Sequence, residues 1–493
     1  MGLHLAIDLG AGSGRAILGR LEGDALQIEE VHRFHYEPVR SAGHLRWPFA
    51  KLIAGIEDGL SAAAAVAKAG RDAVVTVGVD SWGVDYGLLD SSGRRIEDPV
   101  CYRDERTEGV MEEVFETMPR ADLFARTGLQ FLPLNTLFQL VAHVREGLPP
   151  QAHRMLMVPD LCHHHLCGSI VAEYTDASTT QLLSVATRRW DDVLCERLEL
   201  PQELLPEIVE PGTELGLLRA DLVEKTGLAG VRVLAPATHD TASAVVGAPL
   251  QPGWAYISSG TWSLVGVEIS EPLATPGVAL ANFTNEGGPA GTIRFLKNVM
   301  GLWILEQCRK EWAAAGTAVD HAVLVGEASR IPEPVAFVFP DDPRFFNPKS
   351  MVAEIRGFLL ESGQACPDDP IQLTRVVLDS LALRCATVVS TAERLTGIAV
   401  PGIHIVGGGC RNEYLNQATA DASGRPVMAG PAEATATGNV LVQAMATGSV
   451  ASIAEGRRLV ARTVRPARYA PRGTDAWGRA AERYLEIERR FLG

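Results

Sequence analysis

The sequence is poor in paired cysteines and in long apolar runs. Its eight cysteines are scattered over 493 residues without a Cys-x-x-Cys pair, so neither a structural zinc site nor a dithiol redox site is expected. No run reaches the roughly 18 apolar residues that a membrane-spanning helix needs. The first residues also lack the charge and cleavage pattern of a signal peptide. We therefore expect a cytoplasmic protein without a membrane partner.

The chain also lacks an excess of basic residues. It has 45 basic and 60 acidic residues, which gives a formal net charge of −15. A net charge of that sign repels a polyanion, so no nucleic-acid partner is expected. Two common nucleotide-binding signatures are missing as well. There is no G-x-x-x-x-G-K-[ST] segment, and no glycine cluster fits G-x-G-x-x-G with an acidic residue about twenty positions later.

What the sequence does contain is a pattern of short strands and helices in its first part. Apolar runs predict a three-stranded meander at residues 3–7, 16–21 and 26–34. An amphipathic helix is predicted at 51–69, with Gly70 as a glycine cap, and a buried strand follows at 74–79. This order of meander, helix and strand predicts an α/β domain.

The same order returns in the second part of the chain. A second meander begins at Trp254, a long helix is predicted within 372–395, and a strand follows at 404–406. A chain of this length exceeds the roughly 250 to 300 residues that one core supports. We therefore predict a duplication, with two similar α/β domains facing each other across a cleft and occupying residues 1–247 and 248–493.

A carboxylate follows one of the apolar runs and is the candidate catalytic base. Asp240, in the segment THDTAS, comes shortly after the run 231–234, which reads as a buried strand. Three glycine-rich turns, at 8–15, 258–262 and 406–412, also follow apolar runs. One carboxylate and three backbone cradles for anions indicate phosphoryl transfer. The alternative is an acid that caps a helix after Thr238.

The first turn, DLGAGSGR, has the chemistry of a phosphate site. Its glycines allow amide hydrogens to point at an anion, while Ser13 adds a hydroxyl and Arg15 a charge. Asp8 would repel a phosphate unless a cation intervened, which predicts a Mg²⁺ ion there. The alternative is a plain glycine hairpin.

The other glycine segments are less specific. SSGTW offers the Gly260 amide and the Thr261 hydroxyl to phosphates, and VGGGCRN lets a base or ribose approach the backbone near Gly408. The latter is equally consistent with a tight packing turn between a strand and a helix. VDSWGVD, with Trp82 and Gly83, has the composition of a polyol site, although Trp82 is also consistent with a core position.

Taken in order, these segments resemble one enzyme family. The resemblance is carried by DLGAGSGR, VDSWGVDYGLLD, YRDERT, EYTDASTTQL, ATHDTASAV, YISSGTWSLVG, NEGG, LKNVMGLWILE and VGGGCRNEYLNQ. The sequence is similar to the FGGY carbohydrate kinases, within which its segments resemble most closely the L-rhamnulokinase branch. One departure is Glu306, where the family pattern leads us to expect a glutamine; Gln307 stands beside it.

The resemblance implies a duplicated actin-like (ribonuclease H-like) ATPase fold with two domains flanking a cleft. It implies sugar binding and the catalytic base in the first domain and nucleotide binding in the second. The residues that it implies for ATP are Gly12, Ser13, Gly14, Arg15, Ala16, Thr261 and Gly408. Those that it implies for the sugar are Gly83, His239, Asp240, Thr241 and Asn298.

The reaction implied by the resemblance uses ATP and Mg²⁺. Asp240 is expected to accept the proton of the O1 hydroxyl of L-rhamnulose while the γ-phosphoryl group is transferred. Two alternatives stay open at this point. The first is a kinase for another ketose, such as L-fuculose, L-ribulose or D-xylulose, and the second is a non-catalytic, ATP-switched sugar-binding protein. A monomer and a homodimer are both compatible with the sequence.

Overall fold

The computed structural model describes residues 2–317, 319–473 and 475–491. Its strands are β1 (Gly2–Leu9), β2 (Ser13–Glu22), β3 (Ala25–His35), β4 (Val39–Ser41), β5 (His44–Arg46), β6 (Ala73–Ser81), β7 (Tyr86–Leu89), β8 (Arg154–Met157), β9 (Val171–Glu173), β10 (Glu207–Val209), β11 (Glu214–Leu217), β12 (Arg232–Leu234), β13 (Ala255–Ser259), β14 (Trp262–Ile269), β15 (Thr284–Gly287), β16 (Ile293–Met300), β17 (Ile403–Val406), β18 (Val427–Ala429) and β19 (Ala467–Tyr469). Its helices are α1 (Phe49–Gly70), α2 (Val110–Thr117), α3 (Arg120–Thr127), α4 (Thr136–Glu146), α5 (Val158–Cys167), α6 (Tyr174–Ala177), α7 (Asp192–Arg197), α8 (Ala220–Thr226), α9 (Asp240–Gly247), α10 (Pro276–Ala281), α11 (Trp303–Ala314), α12 (His321–Ala328), α13 (Met351–Glu361), α14 (Pro370–Thr396), α15 (Glu413–Ser423), α16 (Ala434–Ala446), α17 (Ile453–Thr463) and α18 (Asp475–Phe491).

The first sheet is built on the predicted meander. Its strand order is β11-β12-β6-β1-β2-β3. Strand β1 pairs antiparallel with β2 and parallel with β6, and β6 pairs parallel with β12. Since parallel strands end at the same edge of a sheet, the segments that follow β1, β6 and β12 lie at one edge. These segments are the DLGAGSGR turn, the VDSWGVD turn and the segment that leads to Asp240.

The second large sheet repeats that topology. Its order is β15-β16-β14-β13-β17-β18-β19, with β13 antiparallel to β14 and parallel to β17. In both sheets the first strand lies between its hairpin partner and a parallel strand, and an antiparallel strand forms the edge beyond the second parallel strand. The duplication that the sequence predicted is therefore present in the strand order.

The chain divides into two compact units, each made of three segments. The first comprises Met1–Pro249, Glu268–Phe295 and Ala434–Val464. The second comprises Leu250–Val267, Leu296–Glu433 and Arg465–Gly493. The division into residues 1–247 and 248–493 stays a prediction of the sequence. Helix α16, late in the chain, belongs to the first unit.

Helix α16 packs against α9 at very short range within the first unit. A Cβ atom added at Gly247 would lie 2.0 Å from the carbonyl oxygen of Ala434, and one added at Gly438 would lie 1.8 Å from the carbonyl oxygen of Ser243. The two helices therefore touch through their main chains, and these glycines are required by close approach. Because α9 begins with Asp240, the position of that residue depends on this contact.

The end of α1 differs from the sequence expectation. Gly70 is still helical, and the left-handed residue that closes the helix is Arg71, with a φ of 57°. The amide of Arg71 donates to the carbonyl oxygens of Ala67 and Lys68. The expected glycine cap at Gly70 is therefore wrong by one position, because the main-chain hydrogen bonds of Arg71 hold a non-glycine residue in the left-handed region.

Within the residues that the structure describes, no helix has both the length and the apolar character required to cross a lipid bilayer.

Burial of His163 predicts a loss of stability in mild acid. His163 lies on α5 and accepts a hydrogen bond at Nε2 from the amide of Val79, over 2.9 Å. Burial lowers its pKa from 6.5 to about 3. In the unfolded chain, His163 therefore binds a proton near pH 6.5, whereas in the folded chain it stays unprotonated at that pH. The free energy of unfolding consequently falls as the pH drops below about 6.5. We expect about 2 kcal/mol of unfolding free energy to be lost between about pH 7 and pH 5 through this residue.

The measurement is the unfolding free energy of the wild type and of His163→Gln at both pH values. Other titrating groups contribute equally to both proteins and cancel in the difference. We expect the difference in unfolding free energy between the two proteins to change by about 2 kcal/mol, in favour of the variant at low pH. A difference that is independent of pH would contradict a neutral, buried His163.

Candidate active site

Asp240 is accessible and does not cap a helix. It is the first residue of α9, and the preceding His239 is the cap residue, without a side-chain capping bond. The carboxylate of Asp240 accepts a hydrogen bond from the hydroxyl of Thr241 over 3.1 Å. About a third of the side chain, 31%, is exposed. An accessible carboxylate at this place has the chemistry of a proton acceptor, and the structure does not show the capping role that the sequence left open.

A buried glutamate holds the segment that leads to Asp240. Glu173 accepts hydrogen bonds from the amides of Thr175 and Thr238, over 2.9 and 3.0 Å. The hydroxyl of Thr175 in turn accepts from the amide of His239 over 3.2 Å. Burial raises the pKa of Glu173, and the hydrogen bonds from Thr175 and Thr238 oppose that rise. Glu173 thereby fixes the main chain immediately before Asp240.

Two further carboxylates stand opposite each other on β1 and β6. Asp8 and Asp80 are partners in the parallel register, and Asp8 forms an ion pair with Arg15. Asp80 is fully buried and accepts from the side-chain amide of Asn439 over 2.5 Å. Burial raises the pKa of Asp80 well above its usual range, and the negative charges of Asp8 and Asp240 add to the rise. Burial thus makes Asp80 a weaker acid than an exposed aspartate, while Asp8 has Arg15 as its ion-pair partner.

The DLGAGSGR turn between β1 and β2 is held by a tyrosine. The amide of Gly10 donates to the carbonyl oxygen of Ser13 over 2.9 Å, and the hydroxyl of Tyr36 donates to the carbonyl oxygen of Gly10 over 2.6 Å. Gly12 is exposed, with open space where a Cβ would stand. Ser13 and Arg15 are half-buried, whereas Gly14 and Ala16 are buried. The exposed tip of the turn is thus formed by Gly12.

The turn after β6 is tightly constrained at Gly83. A Cβ atom at Gly83 would lie 2.8 Å from the hydroxyl of Thr179 and 3.2 Å from a carboxylate oxygen of Asp176. The next residue, Val84, has a φ of 70° and donates its amide to Thr179 over 3.2 Å. A β-branched residue in the left-handed region is strained and needs such surrounding contacts.

A buried carboxylate organises the aromatic residues beside this turn. Asp85 accepts from the indole nitrogens of Trp47 and Trp82, over 2.6 and 3.0 Å, and from the amide of Gln139 over 3.0 Å. The two indole rings lie 4.3 Å apart. Burial raises the pKa of Asp85 to about 6 against the opposing hydrogen bonds from Trp47, Gln139 and Trp82. Trp82 is 7% exposed, so the core role that the sequence left open for it is observed.

His239 lies within a buried cluster of charges. Its Nδ1 atom is 3.0 Å from a guanidinium nitrogen of Arg294 and 3.4 Å from a carboxylate oxygen of Glu286. Its Nε2 atom is 3.6 Å from the carboxylate of Asp240. Arg294 is fully buried and Glu286 nearly so. The NEGG segment thus reaches the candidate catalytic pair through Glu286.

In the second unit, the SSGTW turn packs against the VGGGCRN turn. A Cβ atom at Gly409 would lie 2.0 Å from the hydroxyl oxygen of Ser259, so only glycine fits there. The amide of Gly301 donates to the carbonyl oxygen of Thr261 over 3.1 Å. Thr261 and Gly408 are both exposed. Their exposure leaves the hydroxyl of Thr261 and the main chain of Gly408 accessible to a ligand.

A cavity of about 1000 Å³ lies next to the VGGGCRN turn in the second unit. Its walls include Asn412 and Tyr414 from the start of α15, and His321 and Val325 from α12. The walls also carry charged side chains, among them Arg411, Glu413 and Asp421, and the volume is in the upper range of small-molecule sites. The cavity and the exposed Gly408 are neighbours along the chain.

Two other sequence-predicted positions fall in the second unit. Asn298 is half-buried on β16. Glu306, the departure from the family pattern, is exposed on α11 and pairs with Arg309 over 2.7 Å. The geometry of the second unit thus provides positions for Thr261, Gly408 and Asn298, while the first unit gathers His239, Asp240 and Thr241.

Comparison with known proteins decides the family. Residues 3–247 match the N-terminal domain, and residues 255–447 the C-terminal domain, of the FGGY family of carbohydrate kinases. The chain belongs to the FGGY family of carbohydrate kinases. As a member of that family, it takes a sugar and ATP as its substrates.

Several curated relatives of this FGGY kinase are rhamnulokinases. The chain is 43% identical to the rhamnulokinase of Pectobacterium carotovorum subsp. carotovorum over 474 residues, covering 95% of this chain and 93% of the relative. It is 40% identical to the Bacteroides thetaiotaomicron rhamnulokinase, covering 96% and 97%. It is 40% identical to the Bacillus subtilis rhamnulokinase, covering 93% of each chain.

Solved structures give the same fold for this FGGY kinase. Gluconate kinase from Lactobacillus acidophilus aligns with a TM-score of 0.82 at 13% identity, covering 100% of this chain and 98% of the other. Plasmodium falciparum glycerol kinase with ADP aligns with a TM-score of 0.78 at 14% identity, covering 100% and 99%. The duplicated actin-like ATPase fold that the sequence predicted is therefore confirmed.

Sequence reasoning on this FGGY kinase missed several buried charged residues. Glu173, Asp80, Glu286 and Arg294 all contact residues that lie next to, or form part of, the predicted site. Three of them, Asp80, Glu173 and Glu286, stand in segments that carried the family resemblance: VDSWGVDYGLLD, EYTDASTTQL and NEGG. Their place in these segments was the feature of the sequence that could have marked them as site residues. The individual roles in sugar and ATP binding stay predictions.

The constrained turn at Gly83 gives a direct test of sugar binding. Because an added methyl group must displace Thr179 or Asp176, we expect Gly83→Ala to raise the KM for the sugar about tenfold, the equivalent of about 1.4 kcal/mol. The KM for ATP should stay unchanged. Gly357→Ala, on α13 with open space around its Cβ position, is the control and should change neither constant. An unchanged KM for the sugar would show that the turn has no part in binding it.

Proposed function

We propose that this FGGY kinase transfers the γ-phosphoryl group of ATP to the 1-hydroxyl of L-rhamnulose, giving L-rhamnulose 1-phosphate and ADP. One observation carries the proposal. An accessible carboxylate, Asp240, begins α9 in a chain that matches rhamnulokinases over nearly their whole length. We infer a place for the enzyme in L-rhamnose catabolism from the same similarity.

In the proposed reaction, Asp240 is the proton acceptor. The O1 hydroxyl of the ketose loses its proton to the carboxylate while the oxygen bonds to the γ-phosphorus of ATP. The bond from that phosphorus to the bridging oxygen of ADP breaks, and its electron pair leaves with ADP. The proton on Asp240 then returns to solvent through the exposed part of the side chain.

The phosphates and the adenosine are assigned to the exposed glycine turns. In the first unit, phosphate oxygens are assigned to the segment from Gly12 to Ala16 through its exposed tip at Gly12, the hydroxyl of Ser13 and the charge of Arg15, while Gly14 and Ala16 are buried in β2 behind that tip. In the second unit, Thr261 donates to phosphate, the main chain of Gly408 contacts the adenosine, and the cavity lined by Arg411 and Asn412 receives the rest of it. Gly83, Thr241 and Asn298 are assigned to the ketose together with His239.

The residues present fit a Mg²⁺ ion that arrives with ATP. Protein sites for Mg²⁺ commonly supply one or two carboxylates, and phosphates and water complete the shell. Asp8 is such a carboxylate; it stands opposite Asp80 in the strand register, and Arg15 is its ion-pair partner. Within the described residues, no group of three or more histidine, cysteine, aspartate or glutamate side chains could hold a metal alone. Asp8 would hold the ion, which supplies neutralisation of phosphate charge.

Coupled ADP release across a panel of ketoses tests the proposal. We expect the kcat/KM for L-rhamnulose to exceed that for the ketopentoses L-ribulose and D-xylulose by about 10- to 200-fold, the discrimination that one carbon in a pocket provides. Phosphorus NMR of the product should place the phosphate on O1. A higher kcat/KM for L-fuculose, L-ribulose or D-xylulose would contradict the assigned sugar. No ADP release with any ketose would indicate a non-catalytic sugar-binding protein.

A monomer and a homodimer are both compatible with the proposed reaction. Sedimentation of the purified protein distinguishes a monomer from a homodimer and bears on none of the assigned residues.

A further inference from the structure

Two residues, Glu286 of the NEGG segment and Arg294 of the following strand β16, lie next to Nδ1 of His239. Arg294, on β16, donates from Nε to the carbonyl oxygen of Gly287 over 2.9 Å and from NH2 toward Nδ1 of His239 over 3.0 Å. The same NH2 group is 3.2 Å from a carboxylate oxygen of Glu286. The contacts with the carbonyl oxygen of Gly287 and the carboxylate of Glu286 thus fix the guanidinium group of Arg294 next to the imidazole of His239.

The contact between Arg294 and His239 specifies the tautomer of the imidazole. A guanidinium group only donates hydrogen bonds and keeps its charge in proteins. The Nδ1 atom of His239 must therefore offer its lone pair, and the ring proton must reside on Nε2. A proton on Nδ1 would leave Glu286, at 3.4 Å, as its acceptor and would face the closer guanidinium donor. The shorter contact favours the proton on Nε2.

The opposite nitrogen of the ring faces the candidate base. Nε2 of His239 is 3.6 Å from a carboxylate oxygen of Asp240, which is slightly longer than a hydrogen bond. Hydrogen bonds at catalytic sites are often long without substrate and shorten when it binds. With its proton on Nε2, His239 donates toward Asp240 and has no free lone pair with which to accept a proton.

We propose that Arg294, held by Glu286 and Gly287, is a positioning residue that fixes His239 as the neutral Nε2–H tautomer. His239 then orients one oxygen of Asp240 and leaves Asp240 as the proton acceptor of the pair. The part that concerns the tautomer stands on the contacts alone. The part that concerns the sugar proton rests on the proposed function.

Nitrogen NMR of the full-length protein labelled with ¹⁵N-histidine tests the tautomer directly. His239→Asn identifies the signals by their loss. In the wild type, Nδ1 should show the shift of an unprotonated nitrogen and Nε2 that of a protonated one. In Arg294→Met, both nitrogens should move toward the averaged shifts of two exchanging tautomers. A wild-type His239 protonated on Nδ1, or a wild-type spectrum in the variant, would overturn the proposal.

A second variant guards against a simple folding defect. Arg294→Met leaves the buried charge of Glu286 without its partner, which destabilises a folded protein. The double variant Glu286→Gln/Arg294→Met removes both charges and should show the same loss of the fixed tautomer. Arg126→Met, which breaks the ion pair with Asp191 elsewhere in the first unit, is the matched control and should leave the His239 signals unchanged.

Kinetics separate positioning from a general structural effect. The double variant should lower kcat about tenfold, the equivalent of one hydrogen bond, with the KM for ATP unchanged. An unchanged kcat, or a rise in the KM for ATP as large as the fall in kcat, would overturn the positioning role. Because the NMR signals need no sugar, failure of the tautomer and failure of L-rhamnulose as substrate are distinguishable.

Discussion

Asp240→Asn is expected to lower kcat with L-rhamnulose and ATP by about 10²- to 10⁴-fold, the usual contribution of a general base. The amide has the size and shape of the carboxylate but cannot accept the proton of the O1 hydroxyl at neutral pH. Both Michaelis constants should stay close to those of the wild type, because the replacement keeps the side chain where the substrates meet it. Coupled ADP release over a range of both substrates measures all three quantities.

The fold should tolerate this replacement. Asp240 is about one-third exposed, and its hydrogen bond from the Thr241 hydroxyl can be kept by the amide oxygen of asparagine. Asp221→Asn is the matched control, since Asp221 is also an acid in the first turn of a helix, α8, and is exposed. It should leave kcat unchanged, and both variants should unfold at the urea concentration of the wild type.

The outcome also bears on His239. If the imidazole were a competing base, Asp240→Asn would keep much of its turnover at pH values where histidine is neutral. In the proposed tautomer, Nδ1 of His239 accepts from Arg294 and Nε2 already carries the ring proton, so neither nitrogen accepts the proton of O1. A kcat that falls less than about tenfold would contradict Asp240 as the base.

Individual strands and helices of this fold could be predicted from the sequence. The meander of β1, β2 and β3 and the helix α14 were predicted because apolar runs and glycine turns are local features, and in the structure α14 ends at Gly397. Which segments of the chain make up each of the two units could not be predicted. Helix α16 joins the first unit through main-chain contacts of Gly438, and no periodicity of its own small, apolar residues shows which partner it contacts.

The residues of the candidate site also fall into those that could be predicted from the sequence and those that could not. Asp240 and the glycine turns could be predicted, because a carboxylate or glycine cluster after an apolar run is visible in the sequence. Glu173 and Arg294 could not, and for Asp80 the sequence showed a carboxylate after an apolar run but not its burial, because most charged residues are exposed and nothing local reveals that these are buried. Their roles follow from contacts with residues tens to hundreds of positions away.

The second large effect is expected where α9 meets α16. A Cβ atom at Gly438 would lie 1.8 Å from the carbonyl oxygen of Ser243 and 2.9 Å from the amide nitrogen of Gly247. Both atoms belong to the main chain of α9, so no rotamer change relieves the overlap and the helix itself must move. We expect Gly438→Ala to lower the free energy of unfolding by about 1 to 3 kcal/mol.

The same variant should also impair catalysis. Helix α9 begins with Asp240, so a shift of the helix displaces the proposed base from its position. A misplacement of about 1 Å can cost about 10²-fold in rate, and we expect kcat to fall by up to that factor while the KM for ATP changes little. Coupled ADP release and urea unfolding, measured on the same folded preparation, give the two effects separately.

Gly456→Ala, on the neighbouring helix α17, is the control for an added methyl group in the same unit. Its Cβ would lie 3.1 Å from the terminal carbons of the Leu441 side chain, which must move by only a few tenths of an ångström, so it should cost much less stability than Gly438→Ala and no activity. If Gly438→Ala loses stability but keeps the wild-type kcat, the packing of α16 holds the fold without holding Asp240. If kcat falls with stability in this variant alone, the contact between the two helices sets the position of the base.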